Sequence, residues 1–139
     1  SLDEMNDRMN KKSGILGMIG TSSDFRDLDT AKRAGDEKAI LAYDMFCYRI
    51  QLYIGAYVAA MNGVDAIAFT GGIGENSVGA KKQICEGLSF FGVELDEEKN
   101  AKRLSGNVEL STKNSKVKVY KIETAEELVI ARDTYELTK

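Results

Sequence analysis

The segment DAIAFTGGIGENS, Asp65 to Ser77, sets Thr70, Gly71, Gly72 and Gly74 directly behind a short apolar run. Ala66, Ile67, Ala68 and Phe69 read as a strand of the kind buried on both faces. Asn76 or Ser77 is placed to cap the helix that follows. A strand that passes through a glycine turn into a helix aims backbone N–H groups at open space, at the positive end of a helix dipole. That arrangement suits a phosphate or a ribose, so the segment predicts a nucleotide.

TGGIGEN admits three readings. It is not a P-loop, because no Gly-Lys-Ser/Thr follows to hold phosphate and magnesium. It approaches a dinucleotide fingerprint: Gly72 and Gly74 match the first two glycines, Ser77 stands where the third belongs, and Glu94 lies about 20 residues on, where an acidic ribose partner is expected. The third reading is a tight strand-to-helix turn that binds nothing.

Two further segments carry chemistry. SSDFRD brings together Asp24, Phe25, Arg26 and Asp27. An aromatic ring and a guanidinium can sandwich a flat base while a carboxylate accepts ribose hydroxyls. The plainer alternative is a solvated turn in which Arg26 pairs with Asp24 or Asp27, worth little at a surface. TAEELVIARD starts with Thr124 as an expected N-cap and Glu127 as its capping-box partner. Glu126 is then left to point elsewhere, and magnesium takes one or two carboxylates with waters and phosphates. A solvated glutamate in a helix's first turn is the commoner case.

The elements that must position these groups form one mixed α/β unit of 139 residues, without prolines, repeats or linkers. Apolar periodicity predicts a helix from Leu2 to Lys11 ended by Gly14, then a long loop through SGILGMIGTSSDFRD, then a short helix from Leu28 to Ala34. Asp36 caps the longest element, a tyrosine-rich helix to Met61, about 39 Å long. Gly55 inside it costs about 1 kcal/mol against alanine, which a closely approaching backbone would explain. Beyond the glycine turn come a helix from Ser77 to Phe91, a short one from Asp96 to Arg103, strands at Val108–Leu110 and Val117–Ile122, and a last helix from Ala125 to Leu137.

Composition narrows the class. A net charge of −3 with scattered lysines and arginines argues against nucleic-acid or membrane-surface binding. No apolar run reaches the roughly 20 residues of a membrane span and no signal-peptide pattern opens the chain, so the cytoplasm is the expected compartment. Cys47 and Cys85 fall in apolar helical patterns and read as buried reduced thiols. With no histidine, zinc sites and Ser–His or Cys–His nucleophiles are not expected. Opening on Ser1 rather than methionine is read as the mark of a piece of something longer.

Taken together, NKKSGILG (Asn10 to Gly17), SSDFRD (Ser22 to Asp27), the stretch from Tyr43 to Asn76 and TAEELVIARDT (Thr124 to Thr134) resemble the acetate kinase family, which includes propionate kinases. Their order and spacing resemble the C-terminal part of such a kinase. The resemblance implies the acetate and sugar kinase/heat-shock/actin fold, an α/β architecture with ATP between two ribonuclease-H-like domains. It implies transfer of the γ-phosphoryl of ATP to a short carboxylate, giving an acyl phosphate and ADP, with magnesium. Matched residue by residue, Asp24, Phe25 and Arg26 would line the adenosine pocket. Gly72, Ile73, Gly74, Glu75 and Asn76 would form the nucleotide-contacting turn, and Glu126 would be the magnesium-associated carboxylate. The family's homodimers form through this part, with the helix from Tyr43 to Tyr57 as the expected contributor.

The family's substrate-contacting arginines, catalytic aspartate, transition-state histidine and phosphate-binding segments would lie upstream, so this chain alone is expected to be catalytically incomplete. Two other classes stand beside this reading: a dimerisation or binding module with a structural glycine turn, and an NAD-binding domain.

Overall fold

Ser1 accepts from the Glu4 amide while the Glu4 side chain reaches back to the N-terminus, a capping box that opens α1 (Leu2–Lys11) where periodicity predicts it. Gly14 does not end that helix; Lys12 is its C-cap, and Gly14 starts α2 (Gly14–Ile19). The long loop expected from Ser13 to Asp27 is therefore mostly helical, since α3 already begins at Phe25 and runs to Arg33. Ser13 and Gly20, read as parts of a loop, are the N-cap and C-cap of α2. Asp36 Oδ1 accepts from the Lys38 and Ala39 amides at 2.8 and 3.0 Å and caps α4 (Glu37–Met61), as expected.

The structure is a computed structural model that describes residues 1–102 and 104–139. It divides into two compact units, Ser1–Ala59 and Ala60–Lys139. The sequence reads as one unit because the division falls near the end of α4, and a boundary inside a helix leaves no linker composition behind.

In the first unit, Phe25 packs its ring on Tyr43 and Phe46, with centroids 5.1 and 4.7 Å apart. Leu28, Ala39, Ala42, Tyr43 and Cys47 complete this buried cluster, and Lys32 Nζ sits 3.5 Å above the Tyr43 ring. The tyrosine-rich stripe of α4 is thus divided: Tyr43 is core, while Tyr48, Tyr53 and Tyr57 are exposed together with Leu41, Met45 and Leu52. No neighbouring backbone approaches Gly55; a Cβ there would meet open space.

In the second unit, β1 (Ala66–Phe69) pairs in parallel with β3 (Lys118–Lys121), and β2 (Val108–Glu109) pairs antiparallel with β3, giving the order β1-β3-β2. β1 alternates: Ile67 and Phe69 are buried while Ala66 and Ala68 are exposed. The expectation of burial on both faces fails because a four-residue run of small and large apolar residues fits one covered face equally well. Both predicted strands of the hairpin form, shorter than their apolar runs. Ser115 holds the turn between them, donating to the Val117 carbonyl at 2.6 Å and accepting from the Glu94 amide at 2.9 Å.

The glycine segment departs most from expectation. It is not an open turn but a short helix of its own, α5 (Gly71–Asn76), entered through extended Thr70 and a left-handed Gly71 at φ 69°. Ser77, one of the two expected caps, accepts from the Ala80 amide and starts α6 (Val78–Glu86). The predicted helix to Phe91 stops there, because Gly87 and a 3-10 turn at Ser89–Phe91 redirect the chain. Ile84 and Cys85 of α6 and Leu88 just beyond it are buried, as are Val93, Leu110, Val117 and Val119 of the same unit. Asp96 caps α7 (Glu97–Ala101); Arg103, the expected end of that helix, lies outside the described residues. Burial pushes the Cys47 thiol up to about 11 and that of Cys85 to about 12, so both stay protonated apolar fillers, as read from their patterns.

A Cβ at Gly74 would stand 3.1 Å from the Phe69 carbonyl carbon and 3.4 Å from its Cα, so α5 lies on the backbone of β1 where a side chain would be tight and the two would have to part by a few tenths of an ångström. Gly74→Val is expected to lower unfolding stability by about 1–3 kcal/mol through overpacking against backbone that cannot rotate away. Urea denaturation checks this; a wild-type midpoint would show that the helix shifts without cost.

Candidate nucleotide-binding site

α5 is too short to hold itself, and five side-chain hydrogen bonds outside its own ladder fix it. Asn76 donates its side-chain amide back to the Gly72 carbonyl at 3.0 Å. Lys81 projects from α6 and donates to the Gly74 and Glu75 carbonyls at 3.1 and 3.0 Å, placing a cation at the negative end of the helix. Its side chain is 2% exposed. Glu75 Oε1 accepts from both the Thr124 amide, at 2.9 Å, and the Thr124 hydroxyl, at 2.6 Å. These two donors hold the Glu75 carboxyl below the ordinary glutamate range.

The Glu75–Thr124 contact replaces the expected capping box at α8 (Glu126–Leu137). Ala125, not Thr124, is the N-cap, and no side chain caps the helix. The Thr124 amide, which a capping box would give to Glu127, donates to Glu75 instead, and the helix begins one residue later, so the Thr124 hydroxyl caps no amide of α8. Glu127 is therefore not held in a capping box, and elimination no longer singles out Glu126. Both line an open depression of about 390 Å³ together with Gly72, Thr124, Ala125 and Leu128. The Glu126 carboxylate is exposed, with no hydrogen bond or ion pair among the described residues. Gly72 has open space where a Cβ would stand. Ile73 is half-buried, and its carbonyl accepts from the Ser77 amide at 2.9 Å.

An exposed, unpaired carboxylate beside an open cavity fits magnesium as one protein ligand among waters and phosphate oxygens. It does not fit an all-protein cage: no cluster of three or more His, Cys, Asp or Glu stands ready for a metal among the described residues.

Asp24, Phe25 and Arg26 belong to the other unit and start α3. Asp24 is its N-cap, accepting from the Arg26 amide at 2.8 Å, and forks onto the Arg26 guanidinium at 3.1, 3.2 and 2.6 Å. Ser22 accepts from the Asp24 amide and donates to Asp27 at 2.6 Å. Arg26 is 91% exposed at its side chain, whereas Phe25 is 9% exposed and occupied by Tyr43 and Phe46. The Phe25 ring thus anchors the loop from below, packed on Tyr43 and Phe46, while the Arg26 guanidinium stays exposed. The surface pairing of Arg26 with Asp24, weighed as the plainer reading, is present.

Sequence reasoning missed Lys81 and Thr124 as structural partners of the glycine helix. Lys81 was legible in principle: it shares the 3–4 spacing of Ile84, Cys85 and Leu88, the face a solvated lysine avoids. Nothing local to Thr124 points 49 residues back to Glu75. Glu94, the acidic residue that the dinucleotide reading would use, accepts from the Thr112 hydroxyl at 3.0 Å.

The Arg26 side-chain hydrogen bond, and then the Arg26 amide, hold Asp24 from an ordinary 3.8 down to about 2. A depressed carboxyl stabilises the fold above its unfolded value, and that contribution is lost as pH falls from 3.8 through about 2. Carboxyl-carbon NMR is expected to show a midpoint near 2 that rises toward 3.8 in Arg26→Ala. An unmoved midpoint would assign the shift to the amide alone.

Comparison with known proteins places this geometry. A family model described as the Acetokinase family matches residues 1–132. The chain is 62% identical to an acetate kinase of Fusobacterium nucleatum over 136 residues, 98% of this chain and 34% of that protein. It is 55% identical to an acetate kinase of Heliobacterium modesticaldum, again over 98% of this chain and 34% of the relative. The crystal structure of Porphyromonas gingivalis acetate kinase superposes with a TM-score of 0.87 at 41% identity, covering 100% of this chain and 35% of that one. A propionate kinase from Francisella tularensis superposes at 0.84 with 37% identity, covering 94% and 33%. The chain spans about a third of the length of these relatives. With a family model matched over nearly its whole length, the chain belongs to the acetokinase family.

Proposed function

We propose that this chain supplies the nucleotide side of an acetate kinase site, in a protein that transfers the γ-phosphoryl of ATP reversibly to acetate. The observation that supports it most is the depression that joins Gly72, from the glycine helix, to Glu126, from the start of α8. These residues are 54 positions apart, and each belongs to a segment in which the family resemblance resides. Bare backbone at Gly72 leaves room for a ligand, and Glu126 offers a carboxylate to a hydrated cation. Magnesium, when bound with ADP or ATP, would neutralise phosphate charge there. Ile73, Gly74, Glu75 and Asn76 shape the wall through their backbone. Asp24 and Arg26 are assigned to the adenosine, with Phe25 holding their loop from below. The parallel β1–β3 pair joined to antiparallel β2 is compatible with part of a ribonuclease-H-like domain of the acetate and sugar kinase/heat-shock/actin superfamily. The charges that phosphoryl transfer needs on the far side of the phosphate are assigned to the rest of the protein.

A magnesium·ADP titration of this chain, followed by amide NMR, tests the reading. Shifts are expected at Gly72 and around Glu126, and are expected to weaken at least tenfold in Gly72→Val, which fills the open space without touching the β1 packing. Equal affinity in that variant would refute the assignment.

The same proposal includes a homodimer through α4. Leu41, Met45, Tyr48 and Leu52 leave a broad apolar face on this helix, and Gly55 on the same face offers a flat point for close approach. Leu52→Glu is expected to shift the mass measured by light scattering from dimer to monomer. A dimer that persists unchanged would place the interface elsewhere.

A further inference from the structure

The first-turn carboxylates of α8 are not positioned by α8 itself. Every described residue of that helix is exposed, none of its side chains is buried in the core, and its N-terminus has no side-chain cap. The sheet secures the chain only as far as Ile122, whose amide donates to the Phe69 carbonyl at 2.9 Å, and Glu123, whose amide donates to Asn107 Oδ1 at 3.0 Å. From there to Glu126 the remaining anchor among the described residues is Thr124, and both of its donors converge on one oxygen of Glu75. Thr124 and Glu126 are two residues apart, so the anchor lies within about 7 Å of the Glu126 Cα.

Glu75 is itself rigidly seated. Its carbonyl, with that of Gly74, accepts from buried Lys81, and it stands on a helix pressed on the β1 backbone. With its acceptor oxygen committed to Thr124, the Glu75 carboxylate is a strut between the two walls of the depression. We propose that Glu75 is a positioning residue, a latch that joins the glycine helix to the start of α8 through Thr124 and so sets Glu126 opposite Gly72. The sequence reading made Glu75 a nucleotide contact; its side chain instead acts through Thr124. The inference rests on the reading of the depression as the metal–nucleotide side of the site.

Because both Thr124 donors meet the same oxygen, Glu75→Gln keeps the acceptor and loses only the charge, whereas Glu75→Ala loses both. Outer-shell partners of metal ligands typically cost 10–100-fold in metal affinity when removed. In the full-length protein, Glu75→Ala is expected to raise the half-saturating magnesium concentration in the presence of ADP about tenfold, with metal-free ADP affinity changed less than about threefold. Hydrogen exchange at the Thr124 amide is expected to accelerate in the same variant. Glu75→Gln is expected to recover most of both effects, and Thr124→Val, which keeps only the amide donor, to fall between. Should Glu75→Ala fold poorly, Thr124→Val with Glu75→Gln gives the same comparison.

Glu75→Gln as impaired as Glu75→Ala would overturn the latch, because the charge itself would then be contacting ligand. So would a Thr124 amide that stays protected in Glu75→Ala, or magnesium affinity that does not move. Gly72→Val, run alongside, separates the two failures. If it leaves ADP affinity intact, the depression is not the nucleotide site and the latch falls with that reading. If it weakens ADP while Glu75→Ala leaves magnesium unaffected, only the latch falls.

Discussion

A helix of six residues does not persist in water by its own hydrogen bonds, because too few bonds form to repay nucleation. α5 is such a helix, and it carries the residues on which the candidate site is built. The second unit can be understood as the means of holding it. Bare Gly74 lets it lie on the β1 backbone, a buried lysine closes its C-terminal carbonyls, and a carboxylate on its last turn ties it to the entrance of α8. Each support comes from a different element, so the geometry of the depression depends on the sheet, α6 and α8 entrance together.

Lys81 illustrates how a costly group becomes structural. An ammonium taken out of water is strongly disfavoured unless its donors are satisfied. Here it meets two carbonyls that have no partner within the helix, at the end where the helix dipole is negative. The desolvation of the lysine and the unpaired carbonyls of a short helix are two problems with one solution. The first unit uses a milder form of the same logic, in which Asp24 caps α3 and is fixed in turn by Arg26. The aromatic cluster under Phe25 seats that loop on a core rather than leaving it to solvent.

What these supports leave uncovered is as informative as what they cover. α4 buries a narrow stripe through Ala39, Ala42, Tyr43 and Cys47 and exposes large apolar residues along the rest of its length. α8 exposes Leu128, Val129, Ile130, Tyr135 and Leu137. On α4 the exposed Leu41, Met45 and Leu52 share one face, whereas the exposed apolar residues of α8 are spread around that helix.

The sequence by itself determined the elements with strong local signals. The long helix after Asp36 is set by its apolar period and cap, and the strand before Thr70 by its apolar run. The four motif blocks alone indicated the family, since their joint order and spacing have no other ready explanation. Tertiary structure decided the rest. Whether TGGIGEN is a loop or a helix depends on Lys81 and Phe69, neither of which lies in the motif. Whether Thr124 caps α8 or serves Glu75 depends on an acceptor 49 residues away that only the fold brings to it. Which face of Phe25 is available depends on Tyr43 and Phe46. Local propensity and capping are read within a turn or two of chain, whereas a site is assembled from contacts that only the folded chain brings within hydrogen-bonding distance.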